Sequence, residues 1–368
     1  MNHDIQKYDI QKYEDLREIN RRHRDELLAA FENVLDSGWY ILGQEVKNFE
    51  SEFAEWNGCN HSIGVASGLD ALKLALIQYG FAAGSEVILP SNAYIAAHLA
   101  IISAGLKPVH VEPCWETCNI NPEKIEEKIT SKTVAVLCVH LYGNPCEIEA
   151  LNGLCSRYQL ALIEDCAQAH GAKVNDKKVG SFGIGCFSFY PTKNLGALGD
   201  GGLITTENSI YASKFRALRN YGSKEKYYNE YVGENSRLDE VQAAILRVKL
   251  KKLDDYLKHK NDIAGTYNTL LKSHIIKPKI LTGNVSAWHI YNIRTSKRDQ
   301  LKQYLEDHGV QTMIHYPVAP HAQPALSGIF EECGISQKIH EETLSLPISA
   351  TMTQATAERI AELINAFK

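Results

Sequence analysis

The chain contains no apolar run approaching the ~20 residues that span a bilayer. Its charged N-terminus, MNHDIQKYDIQKYEDLREINRRHRDELL, offers no apolar stretch to act as a secretory signal. A cytoplasmic setting and no membrane partner are the expectation. Positive charge is not in excess: 39 Lys and Arg stand against 44 Asp and Glu, for a net charge of −5. That argues against a chain held on nucleic acid by bulk charge. The nine cysteines (59, 114, 118, 138, 146, 155, 166, 186 and 333) are odd in number and scattered. Only Cys114 and Cys118 come near zinc-ligand spacing, and no second pair follows, so reduced thiols are expected rather than a metal site or disulfides. No G-x-G-x-x-G follows the first strand of the pattern, where VASGLDAL (65–72) stands, which argues against a nicotinamide oxidoreductase. No Pro/Gly/Ser-rich linker divides the 368 residues, and the repeat DIQKYDIQKYED is too short for a solenoid.

What is present is an alternating α/β rhythm. Residues 14–36 have helical periodicity. A glycine-bounded loop then leads to an amphipathic helix with Val46, Phe49, Phe53 and Trp56 on one stripe. From residue 61 short apolar runs alternate with helix-length segments: HSIGVA, SEVILP, KPVHVE, TVAVLCVH, LALIED, CFSFY and GGLITT, with helices from about 69, at 93–103 and at 147–158. This pattern predicts an α/β domain with a mostly parallel sheet. Helices follow at 208–221 and, as one long element, at 237–260. A strand at 287–295, a helix at 297–308, a short strand near VQTMIHY and a terminal helix at 353–367 complete a smaller α+β unit. The division expected is a large domain over 1–248, with an N-terminal helical segment over 1–36, and a small domain over 249–368, bridged by the long helix.

Three segments at strand ends carry the chemistry. SFYPTKNLGALGDGG (188–202) places one lysine, Lys193, where a buried strand opens into a glycine-rich turn. A core rejects an unpaired ammonium, and Pro191 ends any ladder. In VASGLDAL, Ser67 and Gly68 open a helix whose N–H groups suit a phosphate; a plain Ser67 cap is the simpler reading of that motif alone. In IEDCAQAHG (163–171), Asp165 follows an apolar strand. Pyridoxal 5'-phosphate (PLP) needs such a set: a lysine for a Schiff base, a carboxylate to keep the ring nitrogen protonated, and an anion site. Partial desolvation near a cationic ring would lower the lysine pKa.

From about residue 30 onward the chain resembles the DegT-like sugar-nucleotide aminotransferases. The motifs that carry the resemblance are GWYILGQEVKNFESEFA, VASGLDALKLAL, PSNAYIAA, HLYGNP, IEDCAQAHGA, FSFYPTKNLGALGDGG, LRNYGS, GENSRLDEVQAA and IHYPVAPHAQPA. The resemblance implies fold type I, with a mostly parallel seven-stranded sheet flanked by helices and a smaller C-terminal α+β domain. It implies Lys193 as Schiff-base lysine and proton carrier, Asp165 on the pyridine nitrogen, Gln168 on the ring hydroxyl and Tyr94 stacked on the ring. Gly68 and Leu69 N–H groups with the Ser188 hydroxyl would bind the phosphate, joined by Asn235 from the other subunit of a homodimer with shared sites. Tyr190, His315 and Tyr316, with Lys226 a weaker choice, would meet the sugar nucleotide. His170 and Arg237 receive no firm role; a structural carboxylate partner is the expectation for Arg237.

Within the family, NLGALGDGG, Tyr190, Tyr221 and the IHYP segment are most like enzymes that aminate C3 of a dTDP-linked 3-keto-6-deoxyhexose. Glutamate would be the amino donor, and the 3-amino-3,6-dideoxyhexose of galactose or glucose form would serve surface glycan such as O-antigen. Relatives acting at C4 or on UDP-sugars are the near alternatives. A deoxygenating dehydratase would carry histidine in place of Lys193. A non-catalytic PLP-binding regulator would ordinarily append a DNA-binding domain, for which there is no spare length. The N-terminal 30 residues have no counterpart in the resemblance; that puts none of the catalytic assignments in doubt, and the resemblance gives them no role.

Overall fold

The computed structural model describes residues 10–368, so the first half of the N-terminal repeat lies outside the described residues. Helices α1 (Leu16–Arg21), α2 (Arg24–Ser37) and α3 (Gln44–Asn57) precede the sheet. Then follow β1 (His61–Val65), α4 (Gly68–Tyr79), β2 (Glu86–Pro90), α5 (Ile95–Ser103), β3 (Lys107–Val111), β4 (Thr133–Val139), α6 (Ile148–Tyr158) and β5 (Ala161–Asp165). A small hairpin, β6 (Lys173–Val174) and β7 (Lys177–Lys178), leads to β8 (Ile184–Ser188), β9 (Gly202–Thr206) and α7 (Ser209–Leu218). The strand order is β1-β9-β8-β5-β4-β2-β3, and β9 alone runs against its neighbours. This is the mostly parallel seven-stranded sheet that the alternation predicts.

Its strands are buried on both faces, as parallel strands between helix layers must be. Side chains alternate with period two: Val87, Leu89, Ala135 and Leu137 enter one core with Leu72, Leu76, Ala97 and Phe215, while Ile88, Val136 and Cys138 enter the other with Phe49, Phe53 and Leu246. A third core gathers Tyr267, Tyr291, Ile293, Leu305, Leu346 and Ile360. It is built by α9 (Leu253–Leu270), β13 (Tyr291–Arg294), α10 (Arg298–Asp307), β14 (Thr343–Leu346) and α12 (Gln354–Ala366). Leu253 and Leu257 sit in the core of the sheet and Ile263 and Tyr267 in the third core, so α9 takes part in both.

Two expectations need correction. The single helix over 237–260 is two, α8 (Glu240–Leu250) and α9. Leu246, Leu250, Leu253 and Leu257 keep helical spacing through the break, so periodicity cannot see it. The break is a tight turn in which the Lys252 N–H bonds the Lys249 carbonyl (3.0 Å), with the Lys249 ammonium tied to the Gly196 carbonyl (2.7 Å). The strand near VQTMIHY is reduced to two isolated bridges, Val310 to Gln11 and Met313 to Ser345; beyond them the chain turns so that His315 and Tyr316 leave the ladder.

The sheet edge at β1 depends on a buried ion pair. Arg219 donates to Glu50 and to the Gly64 carbonyl (2.7 Å), while Glu50 accepts the Gly64 N–H (2.9 Å). Removing one member of such a pair strands the other charge in the interior. Glu50→Ala is therefore expected to lower stability by about 3–5 kcal/mol, read as a drop in the denaturant midpoint; an unchanged midpoint would show that the pair is dispensable.

Candidate functional site

The registers of the sheet put the expected residues at one edge. Val65 pairs with Gly202, Gly202 with Ser188, and Cys186 with Asp165. The ends of β1, β8 and β5 thus lie side by side where a parallel sheet collects ligands. Ser67 caps α4, its Oγ accepting the Asp70 N–H (3.1 Å). Among the described residues the Gly68 and Leu69 N–H groups have no partner, as at any helix start. A Cβ on Gly68 would lie 2.6 Å from the Ser188 Cβ, and one on Gly202 would lie 2.2 Å from the Ser67 carbonyl oxygen. Both positions must be glycine for the helix start and the β8 end to meet, and that meeting leaves two free N–H groups beside a hydroxyl.

Lys193 lies in the turn after β8, its N–H bonded to the Tyr190 carbonyl (2.8 Å). Burial lowers its pKa to about 8, against the pull of the Asp165 charge. Asp165 is 7% exposed, and its Oδ1 accepts the Ala167 N–H (3.0 Å). Burial raises its pKa, while that N–H, Lys193 and His140 hold it down.

On the opposite wall, Gln168 bridges two elements. Its Oε1 accepts the Tyr142 N–H (2.6 Å) and its Nε2 donates to the Tyr316 hydroxyl (2.8 Å). The Tyr316 ring lies 4.9 Å from that of Tyr94, the half-exposed residue that opens α5. The Tyr142 hydroxyl donates to the His315 carbonyl (2.5 Å), and His315 Nδ1 meets Ser345 Oγ (2.8 Å). Burial and the Lys193 charge lower the His315 pKa to about 4.

This arrangement can hold an anion at one end and a protonated heteroaromatic ring over Asp165 at the other, with a neutralisable amine between them. Residues 21–365 match the DegT/DnrJ/EryC1/StrS aminotransferase family. The chain belongs to that family. Over 356 residues, 96% of this chain and 98% of its relative, it is 50% identical to the dTDP-3-amino-3,6-dideoxy-alpha-D-galactopyranose transaminase of Aneurinibacillus thermoaerophilus. It is 41% identical to the dTDP-3-amino-3,4,6-trideoxy-alpha-D-glucose transaminase of Streptomyces venezuelae, covering 95% of this chain and 94% of the other. The crystal structure of S. venezuelae DesV with a ketimine intermediate superposes with a TM-score of 0.95 at 40% identity, covering 97% of this chain and 98% of that one. The protein is thus an aminotransferase of fold type I.

Not every expected residue of this aminotransferase reaches the cluster. Tyr190 is 53% exposed at its rim. Asn235 is exposed; its backbone bridges Asn220. Lys226 sits on the exposed hairpin formed by β10 (Ser223–Glu225) and β11 (Tyr228–Asn229), its ammonium over the Tyr227 ring. Among the described residues Arg237 pairs with no carboxylate: it donates to Asn220 Oδ1 (2.9 Å) and lies over the Tyr221 ring. The amide oxygen and the ring face take the place of a countercharge.

The sequence left one group, His170, without a role and did not single out several others. His170 is fully buried against Phe187 and Phe189, with its pKa lowered to about 3 by burial and the Lys193 charge. His289 is likewise held neutral by burial and by Lys193. Tyr142 was within reach, since HLYGNP was already a motif. His289 gave no signal inside an apolar strand pattern. The N-terminal segment, to which the sequence assigned no role, places Glu14, Leu16, Ile19 and Asn20 across a cavity of about 40 Å³ from Lys193, and the Tyr13 ring lies 5.8 Å from that of His315.

The depressed basicity of Lys193 sets a pH dependence. An amine captures an aldehyde only when neutral. In cofactor-stripped protein, capture of PLP by Lys193, trapped with borohydride and mapped by peptide mass, is expected to rise with pH through a midpoint near about 8, against 10.5 for an ordinary lysine. A midpoint near 10 would show that the turn does not desolvate the amine.

Proposed function

We propose that this PLP-dependent transaminase installs an amino group at C3 of a dTDP-3-keto-6-deoxyhexose, with glutamate as donor, and yields a dTDP-3-amino-3,6-dideoxyhexose for glycan synthesis. The observation that carries the cofactor reading is the convergence of Lys193, Asp165 and the Gly68–Ser188 cradle at one end of the sheet's strands. PLP supplies an electron sink on which a substrate C–H bond is acidified. Lys193 would hold it through its amine, and the same amine would carry the proton. Asp165 keeps the ring nitrogen protonated. The N–H groups of Gly68 and Leu69 and the Ser188 hydroxyl take the phosphate. Tyr94 covers the ring, while Gln168 is already oriented by Tyr142 and Tyr316. Tyr190, His315 and Tyr316 face the sugar nucleotide.

Two relatives named for 3-amino sugars, one of the galactose and one of the glucose series, support C3 as the site of amination. The physical reason for selectivity is pose. Nucleotide contacts fix which sugar carbon reaches the cofactor amine, and a misplacement of ~1 Å can cost on the order of a hundredfold. Competition between 3-keto and 4-keto dTDP-6-deoxyhexoses at equal concentration is expected to favour the 3-keto substrate by about that factor in kcat/KM. A preference for the 4-keto sugar would reject this reading and leave the cofactor chemistry standing.

We further read the working unit as a homodimer in which Asn235 reaches the partner's phosphate. Support comes from the exposed Leu28, Phe31 and Leu35 of α2 and the adjoining Trp39, Tyr40 and Ile41, a run of exposed apolar side chains of the kind that marks an interaction surface. If sites are shared, mixing inactive Lys193→Ala and Asn235→Ala chains restores part of the activity, because one site of each mixed dimer is then native. No recovery after verified subunit exchange would place Asn235 within its own site.

A further inference from the structure

The residue after the reactive lysine is the anchor of its turn. Asn194 Nδ2 donates to the Ala287 carbonyl (2.7 Å), and its Oδ1 accepts from the Lys260 ammonium (2.8 Å). Lys260 lies on α9 and is 5% exposed. A buried ammonium needs a countercharge, and no carboxylate lies within ion-pair distance of it among the described residues. The nearest answer comes from the far end of the chain. Glu14 and Lys260 both line the 40 Å³ cavity that also touches Lys193, room enough for water to bridge them. Glu14 Oε1 is buried with no hydrogen-bond partner. The segment that carries it is held in register: Gln11 donates to the Gly309 carbonyl (2.9 Å), Gln311 donates to that of Gln11 (3.0 Å), and Asp15 caps α1.

We propose that Lys260 is a positioning residue that fixes the Lys193 turn through Asn194, and that Glu14, delivered by the N-terminal segment, balances the Lys260 charge beside Lys193. The inference rests on Lys193 being the cofactor-binding lysine. The other titratable groups around Lys193 come from every neighbouring element: Asp165 at the end of β5 and His170 after it, His289 before β13, His315 before β14, and Lys249 and Tyr256 on α8 and α9. The three histidines are held neutral by burial, and Lys249 is committed to the Gly196 carbonyl. The charged groups about the Lys193 amine are therefore Asp165, which acts on it directly, and Lys249, Lys260 and Glu14, which line the cavity it touches. Burial lowers the Lys260 pKa and raises that of Glu14, and each opposes the shift in the other.

The test is the pH midpoint for capture of PLP by Lys193 in full-length protein. Lys260→Met removes a positive charge and is expected to raise the midpoint. Glu14→Gln uncovers that charge and is expected to lower it. Each shift should be on the order of 0.5–1 pH unit, the size of effect a unit charge has through a partly desolvated interior. Lys260→Arg should stay near the wild type, and the double variant should return toward it. Midpoints that do not move, or that move the same way in both single variants, overturn the proposal and leave a packing role. Should Lys260→Met fail to fold, Glu14→Gln and Lys260→Arg still carry the comparison. A pyridoxyl label on another lysine in the wild type would instead overturn the assignment of Lys193 itself.

Discussion

Everything at this site follows from one constraint: an amine and a carboxylate must both lose water without collapsing into an inert ion pair. Burial pushes each toward its neutral form, and the charge of the other pushes back. The amine ends with a basicity at which it can give up its proton near neutral pH. The carboxylate ends in a dry pocket with one backbone N–H for company. Neither state survives on a loop that can relax. The strand ends of a fully buried sheet hold the two groups at a fixed separation, and the glycines let the backbones close around them.

The same constraint explains which parts of the molecule were legible in the sequence. Buried parallel strands read as continuous apolar runs, and each strand of the seven-stranded sheet was visible as one. Lys193 was visible because a lone lysine is out of place where a buried strand opens into a turn; Asp165 and the Gly68 turn read singly as ordinary caps and gained meaning only together with it, as the parts one cofactor needs. Family resemblance added the roles of Tyr94, Gln168 and Asn235, which no local pattern would assign. What stayed hidden is tertiary. His289 sits in a strand pattern that any core residue could fill, and Lys260 lies in a helix whose polar positions look solvated. Glu14 belongs to a segment 179 positions before the lysine it faces across the cavity. The break between α8 and α9 was hidden for the opposite reason: the apolar spacing is kept across it, so the local signal was good and misleading.

The two acids at the end of β5 show how the fold divides labour between neighbours. Glu164 and Asp165 are adjacent and so point to opposite faces of the sheet. Glu164 is fully buried, and desolvation alone would raise its pKa. His140 at 3.2 Å and the N–H groups of Gly180, Phe182 and Gly183 more than offset that, so its pKa is lowered. His140 is fixed in turn, its Nδ1 accepting the Cys146 N–H (3.0 Å) and its own N–H bonding the Asp165 carbonyl (3.1 Å). The carboxylate with every lone pair engaged can only brace the strand. The one beside it accepts a single N–H from the chain and keeps capacity for a cation. His140 touches both, holding the side chain of one and the backbone of the other. The braced acid thus fixes the position of the free one, and a protonated ring nitrogen over Asp165 would complete the balance of charge that the turn of Lys193 leaves open.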